Sequence, residues 1–410
     1  MSKQYFRLFH QKKCYRPTWF GWLIILLVLA IFFRLSLPLP IKYLSLNKTV
    51  NAKTLVVEGW VETYVVMDAL KYYHENGYER LIVTGIPITI YEYIAPYRNT
   101  AEATIFSMKH FGFTDTIYRA VIPSNTFTDR TYSTGLMVGQ LFDDHPEWEK
   151  SVDIYSVGVH ARRSRYLFKM ALGKLFQVGI ISHPDRTFLA DHWWKSSKGF
   201  RNVTNEMIAT PYALLFFNPD RTEINQRMSQ GTLIDEILES RAIKHLEFAD
   251  SLTSPFNKEE LAEFAGFSYF DPDLSYRIQA TFKVDTSQPP FSLPTTTDRL
   301  PVYRKYGILK FHINSDTCEL TAFQNMAFIH HPEYGGLLFV PFGDLTNGEE
   351  TYKAGRFMDI PIPAGDSAML DFNQAYNPYC AYNERWSCPL VPFENQLNIR
   401  IPAGEKKYKH

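Results

Sequence analysis

A histidine and two arginines stand close together in the stretch GVHARRSRYLF, at His160, Arg162 and Arg163. They follow an apolar run and open an amphipathic one, so they are expected where a strand ends and a helix begins. The first turn of a helix presents unpaired backbone N–H groups and the positive end of the helix dipole, and arginine binds anions through paired N–H groups. The pattern predicts a site for a phosphate or a carboxylate. The structural alternative is that His160 caps the helix and that Arg162 and Arg165 lie on a solvated face.

The elements that position these side chains are predicted from residues 50–217, where short apolar runs alternate with amphipathic stretches. This alternation is typical of βαβ units and a parallel sheet. The predicted strands are Thr54–Gly59, Arg80–Gly85, Tyr118–Ser124, Asp153–Val159 and Gln177–Ser182. The predicted helices lie around 67–75, 100–110, 130–142 and 161–172, with a last one from near Phe200 toward Phe216.

Parallel sheets bind ligands outside the carboxyl ends of their strands, so the residues that follow each run are candidate site residues. Glycines there let a ligand approach the backbone, and an Asn-Thr pair supplies short hydrogen-bonding side chains. The candidate ligand-binding residues are Gly59, Gly85, Asn125, Thr126, His160, Arg162 and Arg163.

The composition excludes several classes of protein. Of the 410 residues, 45% are hydrophobic and 21% charged, and 43 Lys and Arg balance 43 Asp and Glu. This is a globular composition without the positive charge typical of nucleic-acid binding, and the length predicts two domains because single cores stop growing near roughly 250 residues. The sequence has no G-x-G-x-x-G after its first strand, no Walker A lysine and no G-x-S-x-G, which disfavours dinucleotide, NTPase and serine-hydrolase functions. No cofactor is identified.

The N-terminus predicts a membrane anchor at 18–40, an apolar run bounded by aromatic residues and prolines. No small-residue cleavage site follows it, so we expect a retained anchor rather than a cleaved signal peptide, although a buried core helix is the alternative. The flank at 1–17 is basic, which predicts a single-pass protein with a cytoplasmic N-terminus and its soluble domains on the outer side. The basic residues of the flank are Lys3, Arg7, Lys12, Lys13 and Arg16.

Several short sequence segments in residues 50–217 resemble the YdcF/SanA/ElyC family, known as domain of unknown function 218. They are VVEGW, LIVTG, NTAEA, SNTFTD and SVGVHARRSRYLF. The resemblance implies a Rossmann-like α/β domain tethered to the bacterial inner membrane, here facing the periplasm, with roles in the cell envelope and lipid-linked cell-wall precursors. It also implies a pocket that includes Glu102 and Glu206, which with His160 are the candidate catalytic residues. Binding of S-adenosylmethionine is known within the family, but the glycine-rich turn expected after the first strand is Glu58-Gly59-Trp60 here.

The second half of the chain has a different sequence pattern from residues 50–217. A polar linker is predicted at 218–232, followed by helical segments, one of which opens near Asn257. From Tyr276 onward, alternating apolar residues and Pro-rich or Gly-rich turns predict a β sandwich or an open barrel. The stretches PFGDLTNGEETYKAGRF, DFNQAYNPYCAY, CPLVPFENQL and AGE resemble domain of unknown function 1684, a family without an established activity.

These stretches are dense in polar side chains. If the side chains converge, Arg356 beside Asp371 is expected to hold an anion or to orient a carboxylate; the alternative is a network in which they brace one another. Cys380 and Cys388 are candidates for a disulfide, with metal ligation as the rival. His330 and His331 are not expected to share a metal, because adjacent residues of a strand face opposite ways. The polar cluster comprises Asp344, Thr346, Arg356, Asp371, Asn373, Asn377, Glu394 and Asn395.

Three functions follow. The first is a membrane-anchored envelope protein whose α/β domain either only binds, or both binds and processes, a phosphate-bearing ligand such as a lipid-linked cell-wall precursor. The second is a non-catalytic envelope module in which the β domain recognises glycan or protein. The third is a protein of reverse topology whose α/β domain faces the cytoplasm and binds S-adenosylmethionine or a nucleotide.

Overall fold

The computed structural model describes residues 17–88, 97–126 and 128–408. The predicted basic flank, with Cys14, therefore lies outside the described residues except for Pro17. The chain forms two compact units, Met1–Asn225 and Gln226–His410. The boundary falls inside the predicted linker at 218–232.

Two helices open the described chain, α1 at Trp19–Ser36 and α2 at Leu39–Leu44. The most apolar 18-residue window of the segment Trp19–Leu44 has a mean hydropathy of 2.5, and none of this window is buried. By length and composition it is the one helix of the described chain able to cross a membrane. A buried core helix is excluded for α1, because none of its residues is buried.

The first unit holds a five-stranded parallel sheet in the order β3-β2-β1-β4-β5. From β1 to β3 the chain adds strands toward one edge of the sheet. It then crosses to the other side of β1, where it forms β4 and β5, so the direction of strand addition reverses between β1 and β4. Such a reversal opens a crevice at the carboxyl ends of the strands. The strands are β1 Thr54–Glu58, β2 Arg80–Gly85, β3 Ile117–Val121, β4 Ser151–Val157 and β5 Gln177–His183. The helices are α3 Thr63–Glu75, α4 Thr100–His110, α5 Arg130–Asp144, α6 Ala161–Leu172 and α7 Ser197–Leu215.

Apolar side chains cover both faces of this sheet, because successive strand residues point to opposite sides. Val57 packs in a core with α3 and α4, and its neighbour Val56 packs in a second core with α5 and α6. All five residues of β1 are buried. Continuous apolar runs of this kind are typical of parallel strands covered by helices, and the predicted Rossmann-like α/β unit is confirmed.

The second unit contains a curled antiparallel sheet, a half-barrel, in the order β11-β10-β9-β8-β6-β12, with β7 paired to β8. Its core is formed by alternate residues such as Leu309, Phe311, Leu338 and Val340. The predicted β-rich fold is confirmed, in its open-barrel form. The strands are β6 Arg277–Val284, β7 Phe291–Ser292, β8 Val302–Ile313, β9 Asp316–Asn325, β10 Leu337–Phe342, β11 Arg356–Pro361 and β12 Ser367–Asp371.

The predicted linker is mostly helical. Helix α8 runs from Arg221 to Ala249, and Asp220 accepts hydrogen bonds from the backbone N–H groups of Thr222 and Glu223 at 2.9 and 3.1 Å. An aspartate in this place stabilises a helix start, and the Arg, Glu, Gln and Met residues that follow it are good helix formers despite the polarity of the segment. The helix predicted near Asn257 is α9 at Lys258–Ala262, with a capping box between Asn257 and Glu260.

Candidate functional site

A crevice of about 520 Å³ lies at the carboxyl ends of β1, β2 and β4 in the first unit. The topology of the sheet predicts a ligand site at this place. Of the candidate residues, Gly85, His160 and Arg163 line it. Its other walls come from Glu58, Trp60, the start of α5 at Asp129–Tyr132, and α7 at Ala209, Tyr212 and Ala213.

Glu206 joins His160 and Arg163 into one group. Arg163 donates from Nε and Nη2 to the two Glu206 oxygens at 2.9 and 2.8 Å. His160 Nδ1 contacts the same carboxylate, and Arg163 Nη2 lies 3.0 Å from His160 Nε2. The charge of Arg163 is therefore compensated inside the protein, which weakens the predicted role of this arginine as the anchor of an anion.

The ionisation of this group follows from its contacts. Burial alone would raise the pKa of Glu206, but hydrogen bonds from His160 and Arg163 lower it to about 2. Burial alone would lower the pKa of Arg163, and the hydrogen bond to Glu206 reverses this so that the pKa is raised. Glu206 is thus ionised at neutral pH, where it orients His160 instead of donating a proton.

Glu58, at the end of β1, is a second buried acid of the crevice. Its carboxylate accepts hydrogen bonds from the hydroxyls of Ser156 and Ser164, the latter at 2.9 Å. The carboxylate of Glu58 is thus tied to β4 and α6, the elements that carry His160 and Arg163.

Arg130 is a lining residue that the sequence analysis did not select. It is the first residue of α5, and the N-cap residue Asp129 makes no side-chain cap hydrogen bond to this helix. Within the described residues the Arg130 guanidinium forms no ion pair, in contrast to Arg163. The available signal was its position directly after SNTFTD, at the predicted start of a helix.

Two charged candidates lie elsewhere. Glu102 is not among the crevice residues; its carboxylate accepts hydrogen bonds from Arg98 N at 2.9 Å and Asn99 Nδ2 at 3.0 Å, at the start of α4. Arg162 stacks on the ring of Tyr43 at 3.8 Å and donates to its carbonyl. Glu102 therefore stabilises a helix end, and Arg162 attaches α2 to α6.

The remaining ligand-binding candidates either are glycines that close packing requires or lie outside the crevice. A Cβ at Gly59 would come within 2.0 Å of the Thr84 carbonyl oxygen, and one at Gly85 within 2.6 Å of Ala101 Cβ. Both glycines are required for close contact between neighbouring elements, whatever the ligand. Asn125 and Thr126 follow the edge strand β3 and do not line the crevice.

The polar cluster of the second unit is a bracing network around Arg356. Arg356 Nη2 lies 3.0 Å from Asp344 Oδ2, and the guanidinium also donates to the carbonyls of Ile401 and Ala403. Thr346 donates to Asp344 from both its N–H and its hydroxyl. Asp371 instead pairs with Arg277 at 2.9 Å, so the ion-pair partner of Arg356 is Asp344 and not Asp371.

The asparagines of the cluster complete backbone hydrogen bonding. Asn373 exchanges two hydrogen bonds with the backbone of Asp273, at 2.9 and 2.8 Å. Asn395 does the same with Thr321, at 2.8 and 2.9 Å, and Asn377 donates to the Lys406 carbonyl. Glu394 is exposed. These contacts support the bracing alternative over an anion site at Arg356.

A cavity of about 700 Å³ lies in the same unit. One wall is the second half of α8, and another is formed by residues of β8 to β11 that point away from the core. The asparagine-rich loop from Asn373 to Tyr379 and Ser387 to Pro389 forms a third. This volume is in the range of sites for small molecules.

The comparisons with known proteins concern this second unit. Residues 262–406 match the family described as protein of unknown function (DUF1684). The C-terminal domain belongs to this family. An uncharacterized protein of Haloarcula marismortui, solved by solution NMR, is 36% identical over 43% of this chain and 96% of its own, with a TM-score of 0.36. A search of the curated proteins found no match.

Cys380 and Cys388 of the DUF1684 domain are neighbours but are not bonded to each other. The N–H of Cys380 donates to Cys388 Sγ at 3.2 Å, and a hydrogen bond with the Cys388 side chain lowers the pKa of Cys380 to about 7. The disulfide stays a prediction. Metal ligation is not supported, because no group of three or more His, Cys, Asp or Glu in the described residues is arranged to hold a metal ion.

Proposed function

We propose that the chain is a membrane-anchored envelope protein whose α/β unit binds a phosphate-bearing ligand, such as a lipid-linked cell-wall precursor. The observation that carries the proposal is Arg130 at the start of α5, inside the crevice at the strand ends, where the side chain of the N-cap residue Asp129 makes no cap hydrogen bond. The N–H groups of that first turn and the guanidinium offer an anion both hydrogen bonds and positive charge. Arg163 is engaged by Glu206, so Arg130 takes the role that the sequence assigned to Arg163.

His160 is the group best placed to act on a bound ligand. It lies at the crevice in a T-shaped contact with Trp60, with ring centroids 4.9 Å apart, and the ionised Glu206 fixes its orientation. A histidine held by a carboxylate is suited to proton transfer near neutral pH. We infer that any processing of the ligand uses His160, with Glu206 and Arg163 as its positioning residues.

The envelope assignment combines three supports. The words VVEGW, LIVTG and SVGVHARRSRYLF resemble the YdcF/SanA/ElyC family, and the parallel sheet has the fold which that resemblance implies. The segment Trp19–Leu44 is long and apolar enough for a membrane anchor. The basic flank before it favours a cytoplasmic N-terminus and a periplasmic location for both soluble units.

Replacement of Arg130 by Ala tests the proposal. The probe is a short-chain polyprenyl phosphate in detergent micelles, with the matching polyprenol and inorganic phosphate as comparison ligands. We expect the variant to bind the polyprenyl phosphate about tenfold more weakly or worse, since a charge-assisted contact is lost. Arg201→Ala is the matched control, because Arg201 is an exposed arginine of α7 outside the crevice lining. Equal affinity of the wild-type protein for polyprenol, or an Arg130→Ala variant that binds like the wild type, would contradict the proposal.

The cavity of the DUF1684 domain favours a second candidate, a non-catalytic module in which this domain recognises glycan or protein. Its walls expose aromatic rings such as Tyr334 and Tyr379, which bind sugar faces and apolar side chains. Turnover of a phosphorylated substrate by the purified protein would contradict a purely non-catalytic role.

A further inference from the structure

The cavity of the DUF1684 domain contains charged groups of both signs, and their contacts decide which charge a ligand should carry. The basic lining residues are Arg241, Lys244 and Arg299, and the acidic ones are Glu247 and Asp359. A basic group whose N–H donors already bond to the protein has fewer of them left for a ligand, whereas a charge without a countercharge in a cavity attracts its opposite.

All three basic groups donate hydrogen bonds to protein acceptors, and of these acceptors only the Glu405 carboxylate, which pairs with Lys244, is charged. Arg241 donates to the carbonyls of Phe270 and Asn373 at 2.8 and 3.1 Å and lies over the ring of Tyr269. Lys244 is paired with the buried Glu405 at 2.6 Å. Arg299 donates to the Ser387 carbonyl at 2.7 Å.

Asp359 differs from these groups. Its one hydrogen bond among the described residues comes from the hydroxyl of Tyr376, at 2.5 Å to Oδ2, and it has no ion pair there. Water reaches the side chain through the cavity, yet the surrounding walls are close enough that burial raises the pKa of its carboxyl. Asp359 thus faces the cavity without a countercharge among the described residues.

The surroundings of Asp359 are aromatic because of strand geometry. Phe357 precedes it by two residues on β11 and therefore lies on the same face, while Phe339 of β10 is its direct cross-strand partner. Tyr303 lies beside Phe339, with ring centroids 5.6 Å apart, and Phe339 meets Phe357 edge to face at 4.8 Å. We call Tyr303, Phe339, Phe357 and Tyr376 the aromatic box; all four line the cavity.

We propose that this cavity binds an organic cation, a ligand that places an ammonium or related positively charged nitrogen against Asp359 and an apolar remainder along the aromatic box. Aromatic faces carry negative potential and attract cations, and a carboxylate supplies the countercharge. The cation comes either from a free amine or from the headgroup of a lipid. This site is independent of the crevice in the α/β unit, so its test does not depend on the phosphate-bearing ligand.

The test measures binding to the full-length protein in detergent by isothermal titration calorimetry. The probes are benzyltrimethylammonium, its uncharged analogue neopentylbenzene at its solubility limit, and phenylacetate as an anion of similar size. We expect the cation to bind about tenfold or more tightly than either comparison probe. Equal binding of the three probes, or a preference for phenylacetate, would overturn the proposal. Nanodiscs of phosphatidylcholine and of phosphatidylglycerol distinguish the sources: competition by phosphatidylcholine alone assigns the site to a lipid headgroup, and its absence assigns it to a free amine.

Asp359→Asn is the decisive variant, because it removes the charge and retains an acceptor for Tyr376. Binding of benzyltrimethylammonium should weaken about tenfold, while the ligand-free variant should melt at the same temperature as the wild type or higher, since an uncompensated charge is gone. Asp366→Asn is the matched control, because Asp366 is exposed and lies outside the cavity lining. An unchanged affinity of the Asp359→Asn variant for benzyltrimethylammonium would contradict the proposal. A second variant, Phe357→Leu, tests the box separately and should also reduce affinity for the cation.

Discussion

Arg356 and Asp344 form an ion pair in which neither side chain keeps any exposed area, with Nη2 and Oδ2 3.0 Å apart. A buried pair of this kind adds little net stability over apolar side chains of the same volume, but removal of one partner leaves the other charge uncompensated. The remaining hydrogen bonds, to Thr346, Ile401 and Ala403, fix the surrounding loops at this pair.

Replacement of Arg356 by Met should therefore destabilise the DUF1684 domain by about 3–5 kcal/mol. The measurement is urea-induced unfolding of the purified protein followed by tryptophan fluorescence. Arg277→Met is the control, because Arg277 pairs with Asp371 at 2.9 Å but remains 28% exposed, and its loss should remove about 1 kcal/mol or less. Equal stabilities of the two variants would show that the Arg356 pair is not a special constraint on the fold.

The pairing of Arg356 could have been found from strand register, but not from spacing. Phe342 and Arg356 are partners in the hairpin of β10 and β11, which places Asp344 just beyond the last pair. Asp371 is the cross-strand partner of Arg277, because β12 lies beside β6 and not beside β11. Sequence shows that these carboxylates are near Arg356 along the chain, whereas sheet order decides which one it meets.

Glu206 gives a prediction for pH dependence. Its pKa falls from 4.5 to about 2 on folding, so the carboxylate stabilises the native state above pH 4.5 and this contribution is lost as the pH falls toward 2. Glu206→Gln should destabilise the α/β unit by about 3 kcal/mol at neutral pH, with the difference from the wild type vanishing in acid. The check is thermal unfolding over a pH series.

The comparison variant is Glu62→Gln. Glu62 pairs with Lys198 at 2.9 Å, but both side chains are about half exposed, at 56% and 46%. An exposed pair of this kind contributes about 1 kcal/mol or less. If Glu206→Gln showed no larger pH dependence than Glu62→Gln, the depressed pKa of Glu206 would be refuted.

The local sequence was enough to predict the parallel sheet but not the residues that line the crevice. Val56 and Val57 lie in a continuous apolar run that is buried on both faces, and such runs identify parallel strands without tertiary information. The place of Arg130 in the crevice could be recognised only from the fold, because the start of α5 meets the ends of β1 and β2 only after the sheet has formed. The surroundings of Asp359 also could be recognised only from the fold, because its aromatic neighbours come from β8, β10 and the loop after β12.

Cys380 and Cys388 should form a disulfide under mild oxidation. Their neighbouring sulfurs and the pKa of about 7 for Cys380 favour attack of a thiolate in neutral solution. In a Cys14→Ser, Cys318→Ser background, oxidised glutathione should remove two hydrogen masses and stabilise the domain by about 2–3 kcal/mol, the loop-closure value for so short a loop. Mass spectrometry and unfolding measure the two effects.

The Cys388→Ser variant serves as the control and should show neither effect. Thiol trapping in intact cells extends the test to the compartment: an oxidised pair agrees with a periplasmic domain, and a fully reduced pair with a cytoplasmic one. Failure to form the bond in purified protein under oxidising conditions would contradict the disulfide itself.

The short helix α2 has a mechanical consequence for the proposed membrane anchor. Ile41 and Leu44 are buried against Val203 and Trp193, and the indole N–H of Trp193 donates to the carbonyl of Leu37 at 2.8 Å. A linker of glycine and serine would let a tethered domain tumble freely and sample every tilt above the bilayer. Here α2 packs on the α/β unit, so with α1 inserted in a bilayer we expect this unit to keep a narrow range of tilts. The height of its crevice above the lipid headgroups is then set by the geometry of this packing contact and not by diffusion.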